Sequence, residues 1–201
     1  MSPAGPVLAV TASLTLCGLG ALALLGVATS WTELARRAGL APLAGMAWAG
    51  IVAATLATAG FRLSLAGLVL LTLATCVAGA VRVRRLPARA LGPVPRPGWL
   101  DVLLGVPALV LLGWVTAVAV AWLRVKPLEE YDGWAMWGMK ARAIAVLGAA
   151  DPDVFASDAY ARLHIEYPLL LPALHALPLQ AADDFSSNTV VLSCLAVALA
   201  G

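Results

Sequence analysis

Four stretches of this chain, residues 6–29, 41–61, 63–81 and 102–123, contain no charged side chain. Each comes close to the roughly 20 apolar residues that an α-helix needs to cross a bilayer. The first constraint on the fold is therefore that these segments are helices in lipid. Composition agrees: 62% of the 201 residues are hydrophobic and 12% are charged, against about 45–50% and about 25% in soluble domains. The mean hydropathy is +0.92. A fifth apolar run opens near Ser187 and reaches Gly201 after about 15 residues, fewer than a crossing requires. The expectation is an all-α, polytopic membrane protein of about five transmembrane helices. Because the fifth run is left open, the chain reads as the N-terminal part of a larger polytopic protein or a truncated reading frame, with a short re-entrant end as the alternative.

The first 29 residues carry no charge. They lack the basic n-region of a signal peptide, and their apolar run is longer than an h-region, so they read as a retained span. Cys17, Cys76 and Cys194 all fall inside apolar runs, where thiols behave as small hydrophobes, and no disulfide or metal-binding spacing is visible.

Arginines set the expected orientation. Arg36 and Arg37 separate the first two runs, and Arg82, Arg84, Arg85, Arg89 and Arg96 separate the third from the fourth. The positive-inside rule puts both loops in the cytoplasm, the 61–62 link outside, and the loop 124–185 outside as well. The stretch LPARALGPVPRPGW, residues 86–99, is rich in helix-stopping proline. It divides the chain into a three-span unit (1–85), a Pro-rich cytoplasmic linker (86–99) and a second unit (100–201) made of a span, the outer loop and the start of the next span. Trp31, Trp99 and Trp122 stand at span ends, where indole rings favour the headgroup zone.

The outer loop collects nine of the eleven acidic residues and is net negative by four. Long ordered loops of this kind are usually functional. Within it, Asp132 precedes a helix-compatible run, 134–147, that Gly148 closes; the acid has the position of an N-cap and the glycine that of a C-terminal stop. Trp134, Trp137, Ala141, Ile144 and Ala145 recur at spacings of three and four, which suits a short helix lying on the outer membrane surface. A second helix start falls at Ser157 or Asp158. After Tyr167 the sequence turns apolar, so the chain re-enters the membrane there, with Pro168 in the first turn of the returning helix.

These residues carry the candidate chemistry, each beside a plainer reading. Asp132 is a general base or only a helix cap. Glu129 and Glu130 are rival carboxylates, but no calcium-loop spacing supports a divalent cation, and no cofactor is expected. Lys140 and Arg142 clamp a phosphate or merely meet lipid headgroups. Trp134 and Trp137 stack on a sugar or anchor the interface. His164 and Glu166 bind a polar ligand or are solvated loop residues. His175, in an apolar run, requires a protein or water-filled interior around it. P-loops, nucleophile elbows, dinucleotide fingerprints and zinc spacings are absent, and the basic residues flank spans rather than forming a nucleic-acid patch.

Two motifs together, EEYDGWAMWGMKARAI after the fourth span and HIEYPLLLPALHA before the fifth run, resemble polytopic C-type (GT-C) membrane glycosyltransferases, of the RgtA/B/C/D-like or protein-mannosyltransferase-like kind. The resemblance spans about residues 101–201. It departs from the family in having three spans ahead of the loop-bearing pair and none of the many later spans. It implies transfer of a sugar from a polyprenyl-phosphate carrier to a glycan, lipid or protein acceptor outside the cytoplasm, at the cell envelope, with the bacterial plasma (inner) membrane as location. It makes Asp132 the catalytic base, Lys140 and Arg142 carrier-phosphate contacts, and Glu130, Trp134, Trp137, His164, Glu166 and Tyr167 further substrate-binding residues. A transporter or channel subunit, or a non-catalytic scaffold, is the alternative. Transport predicts ionisable residues inside the spans, and the first four runs have none.

Overall fold

A computed structural model of the chain describes residues 3–86, 98–125, 137–155, 157 and 168–200, and among these every regular element is a helix. The order is α1 (Ala4–Leu24), α2 (Trp31–Arg36), a 3-10 turn (Ala38–Leu40), α3 (Ala41–Thr58), α4 (Leu65–Arg85), α5 (Trp99–Val125), α6 (Met139–Leu147), α7 (Pro152–Phe155), α8 (Leu170–Ala182) and α9 (Ser187–Ala200). Three segments, Ala4–Leu24, Ala38–Thr58 and Leu65–Arg85, are long and apolar enough to cross a membrane. They coincide with the first three uncharged runs and suit a membrane-embedded chain. The fourth run lies within the 27-residue α5, and α9 takes up the fifth.

Helix ends follow local chemistry. Gly26 and Gly60 take positive φ just past α1 and α3, where a side chain would be strained. Ser64 caps α4 by accepting from Gly67 N–H, and Ser30 caps α2 by accepting from Glu33 N–H. The Glu33 carboxylate in turn accepts from the Thr29 backbone and hydroxyl and pairs with Arg37.

The first three long helices approach through glycine. A side chain at Gly18 would overlap the Ala41 carbonyl, one at Gly45 the Leu14 carbonyl, and one at Gly20 the backbone of Thr75 and Cys76. In lipid, where neighbouring tails are as apolar as leucine, such close backbone approach is what holds helices together. The pairings show α1 antiparallel to α3 and parallel to α4, along which Thr72 donates to Ser13 O and Cys76 to Leu16 O. One end of the bundle carries Arg36, Arg37, Arg82, Arg84 and Arg85; the other is the 59–64 corner between α3 and α4.

α8 occupies the interior of this bundle. Its first residue rests on Gly50, midway along α3, and its Gln180 reaches Leu63 in the corner, so α8 runs parallel to α3 and antiparallel to α1. Eight of its thirteen residues are buried. Two apolar clusters tie it to the earlier helices: Ala53, Ala57 and Leu63 with Ala173, Ala176 and Leu179, and Val10, Leu14, Cys17 and Ala49 with Leu174 and Leu177. The expectation for Pro168 needs correction. Leu169 is the cap and α8 begins at Leu170, so Pro168 lies ahead of the helix, where it restricts the chain rather than filling a first-turn position. The helix then climbs from mid-bundle to the corner end before α9 turns back.

Candidate functional site

The residues singled out above divide in two. Glu130, Asp132, Trp134, His164, Glu166 and Tyr167 lie outside the described residues, as does the helix start at Asp158. Trp137, Lys140, Arg142 and His175 are described, and they gather around α6 and α8.

α6 carries the correction of most consequence. Its apolar stripe is not presented to lipid: Ala141 and Ile144 are fully buried and Ala145 nearly so, packed on Ala53, Ala57, Ala173, Ala176 and Val190. The residues it exposes are Val146 and Leu147. An apolar stripe has the same sequence pattern whether it faces lipid or protein. Here the small alanines on both sides let α6 close on α8. Lys140 is carried inside with the stripe, at 3% exposure, its Nζ 6.0 Å from the centre of the Trp137 ring. That is the outer limit for attraction of an ammonium to an indole face. Arg142, two positions on and half-buried, leaves the helix about 200° away from Lys140, so the two cations do not close on one phosphate from a common face.

The C-terminal end of α6 is bolted to the corner. Gly148 has φ 87° and its N–H donates to Ile144 O at 2.7 Å, the stop that the sequence announced. Gly148 O accepts from Leu63 N–H at 2.6 Å, and Ala150 N–H donates to Ala57 O at 3.1 Å. A side chain at Gly148 would strike Arg62. Gln180 completes the junction: its Nε2 donates to Ala145 O at 3.1 Å and to Leu63 O at 3.4 Å. Ala145 O belongs to the last turn of α6, whose carbonyls have no partner within the helix. Sequence reading missed Gln180. Its only signal was one amide in a helix whose other residues, His175 apart, are apolar.

Behind α6, a cavity of about 230 Å³ opens between α1, α8 and α9, lined among others by Val7, Leu14, Met46, Leu174, His175 and Ser193. His175 and Ser193 are both buried, with Nδ1 and Oγ 2.7 Å apart. Ser193 gives its single hydroxyl proton to Val190 O at 2.6 Å. The imidazole therefore donates from Nδ1 to Ser193 and presents Nε2 as an acceptor nitrogen. The interior setting expected for His175 is met. Its partner could not have been named from sequence, because Ser193 lies eighteen positions away.

The turn between α8 and α9 holds a further carboxylate, Asp184. Asp184 accepts from Ser186 N–H at 2.9 Å, from the Ser186 hydroxyl at 3.0 Å and from the Thr189 hydroxyl at 2.8 Å. The Thr189 hydroxyl, then the Ser186 amide, hold its pKa below the usual carboxylate value. Among the described residues no three His, Cys, Asp or Glu side chains come close enough to hold a metal ion.

No family model, curated protein or solved structure matches this chain.

Proposed function

We propose that this protein is a membrane glycosyltransferase, or the N-terminal part of one, moving a sugar from a polyprenyl-phosphate carrier to an acceptor outside the cytoplasm. The reading rests on the two sequence motifs, and one structural observation supports it. The segment following the first motif is an ordered part of the protein, fastened to the 59–64 corner by Gly148, Ala150 and Gln180. A loop built only to link two spans has no need of such a junction.

In this mechanism Asp132 takes the proton of an acceptor hydroxyl, whose oxygen attacks the anomeric carbon as the bond to the carrier phosphate breaks. Positive charge from Arg142 offsets the charge growing on the departing phosphate, while Lys140, turned into the packing on the other side of α6, is not placed as a second clamp. The bilayer holds the carrier tail, so part of the positioning is done by the membrane. The proposed sidedness puts the corner and α6 on the outer face.

The test is sugar transfer by purified protein with a panel of polyprenyl-phosphate sugars. Asp132→Asn is expected to lower transfer about 10²–10⁴-fold. Unchanged transfer in that variant removes Asp132 as the base, and failure of the wild type to consume any donor removes the activity. The buried His175–Ser193 pair is the feature that favours the transporter alternative, since polar groups inside helical bundles often line ion or proton paths. Proton flux into liposomes that His175→Leu abolishes would establish it.

A further inference from the structure

A groove of about 250 Å³ runs along the seam of α1 and α4 toward the arginine end, walled by Leu16 and Ala23 of α1, Trp31 and Leu34 of α2, and Cys76 and Ala80 of α4. It lies far from α6 and owes nothing to the proposed activity. Its origin is steric. Gly20 brings α1 and α4 to backbone contact at Thr75 and Cys76, and Gly79 closes on Gly20. The small residues beside that contact leave a crevice instead of interlocking side chains. The crevice faces outward, for Leu16 is 52% and Trp31 54% exposed.

Two further observations decide what fits. Every lining side chain is apolar apart from the Cys76 thiol, which already donates to Leu16 O. At the open end the exposed charge is mainly positive. Cys76, Ala80 and Arg84 follow one another at intervals of four on α4, so the exposed Arg84 stands one turn beyond the groove on the same face. Arg85 is its neighbour, and Arg82 rests over Gly26 on another flank. The carboxylate of Glu33 at this end is occupied by Thr29 and Arg37. From Leu16 to Ala23 the wall is about 10 Å long at 1.5 Å per residue, enough for much of one acyl chain.

We propose that this groove is a binding site for one anionic phospholipid, an acyl chain lying along Leu16, Ala23 and Ala80 and the headgroup phosphate meeting Arg84 beside Trp31. A zwitterionic lipid such as phosphatidylcholine shares the chain and the phosphate, but its choline cation is repelled by Arg84 and Arg85, so net negative charge decides the preference. A free phosphate shares the charge contact but leaves the groove empty.

The experiment is native mass spectrometry of the full chain released from detergent with phosphatidylglycerol or phosphatidylcholine added in equal amounts. One phosphatidylglycerol per chain is expected, retained about tenfold over phosphatidylcholine, and Arg84→Gln should cut that retention about fivefold while Arg82→Gln changes it little. Ala80→Phe, which fills the groove, should remove the adduct. Trp31→Ala, at a position 54% exposed, should weaken it about threefold by opening one wall. Equal retention of the two lipids overturns the proposal, as does equal loss from Arg82→Gln and Arg84→Gln. So does retention of the adduct in a folded Ala80→Phe protein, which would mean that basic surface alone attracts the lipid.

Discussion

α1 and α5 are both long, uncharged through their apolar stretches and marked by glycines, yet they meet opposite fates. α1 sits at the centre of the bundle, and its Gly18 and Gly20 are pressed against the backbones of α3 and α4. α5 exposes side chains along its length, among them Leu104, Leu109, Val110 and Trp114, and its Gly105 and Gly113 have nothing within 4 Å. The difference shows that apolarity and attachment are separate properties. Apolar surface alone does not favour a protein neighbour over a lipid tail. Attachment comes from backbones that come close enough to gain dispersion contacts, and here a glycine on one partner allows it, Gly45 against Leu14 and Gly20 against Thr75 and Cys76.

The strongest way to break this comparison is to put bulk at the two kinds of glycine. Gly18→Leu or Gly45→Leu should destabilise the bundle by about 3 kcal/mol or more through overpacking, whereas Gly113→Leu should stay within about 0.5 kcal/mol. Unfolding titrations in mixed detergent micelles measure both, and equal effects would remove glycine contact as the cause.

Next in size are the polar pins of α8, which sharpen the contrast because α5 has no counterpart among its described side chains. Ser193→Ala leaves the His175 Nδ1–H without its acceptor and should cost about 1–3 kcal/mol, with recovery in Ser193→Thr, which restores a hydroxyl. Gln180→Leu removes the donors to Ala145 O and Leu63 O. It should cost about 1–2 kcal/mol and speed hydrogen exchange of the Leu63 and Ala150 amides. Exchange unchanged at those two amides would show that Gly148 alone fastens the junction.

The smallest effect is expected at Asp184. Its lowered pKa means that the ionised carboxylate is favoured in the folded state by the Thr189 hydroxyl and Ser186 amide. The stabilisation is therefore complete above the ordinary carboxylate range near pH 4 and is lost as pH falls through the lower folded value. Asp184→Asn should cost about 0.5–1 kcal/mol at neutral pH, and the gap from wild type should close on acidification. A gap that widens toward low pH would reverse the assignment.

Much of this architecture was legible in the residues. Uncharged runs located α1, α3, α4 and α5 because a span must be apolar throughout, and Gly148 ended α6 because positive φ is easily reached without a side chain. The need of His175 for an interior site followed from the cost of burying an unsatisfied imidazole. The direction of the α6 stripe was not legible, since lipid and protein interior select the same apolar pattern. Nor was Gln180, whose role depends on two carbonyls brought to it from residues 63 and 145. For the candidate site, sequence supplied motifs and residue types, while structure showed that Lys140 is buried and that it and Arg142 diverge.

The sequence by itself determined that this chain is helical and apolar enough for lipid, roughly where its long helices lie, and which end of the bundle is basic. These depend on local composition and on backbone conformations that each residue allows. Only the tertiary structure decided that α8 rises inside the bundle, that α6 faces protein, and that the glycines of α1 are gripped while, among the described residues, Gly105 and Gly113 of α5 meet nothing within 4 Å. Those outcomes depend on which small residues meet at the same depth, and that is a property of pairs of helices rather than of either one.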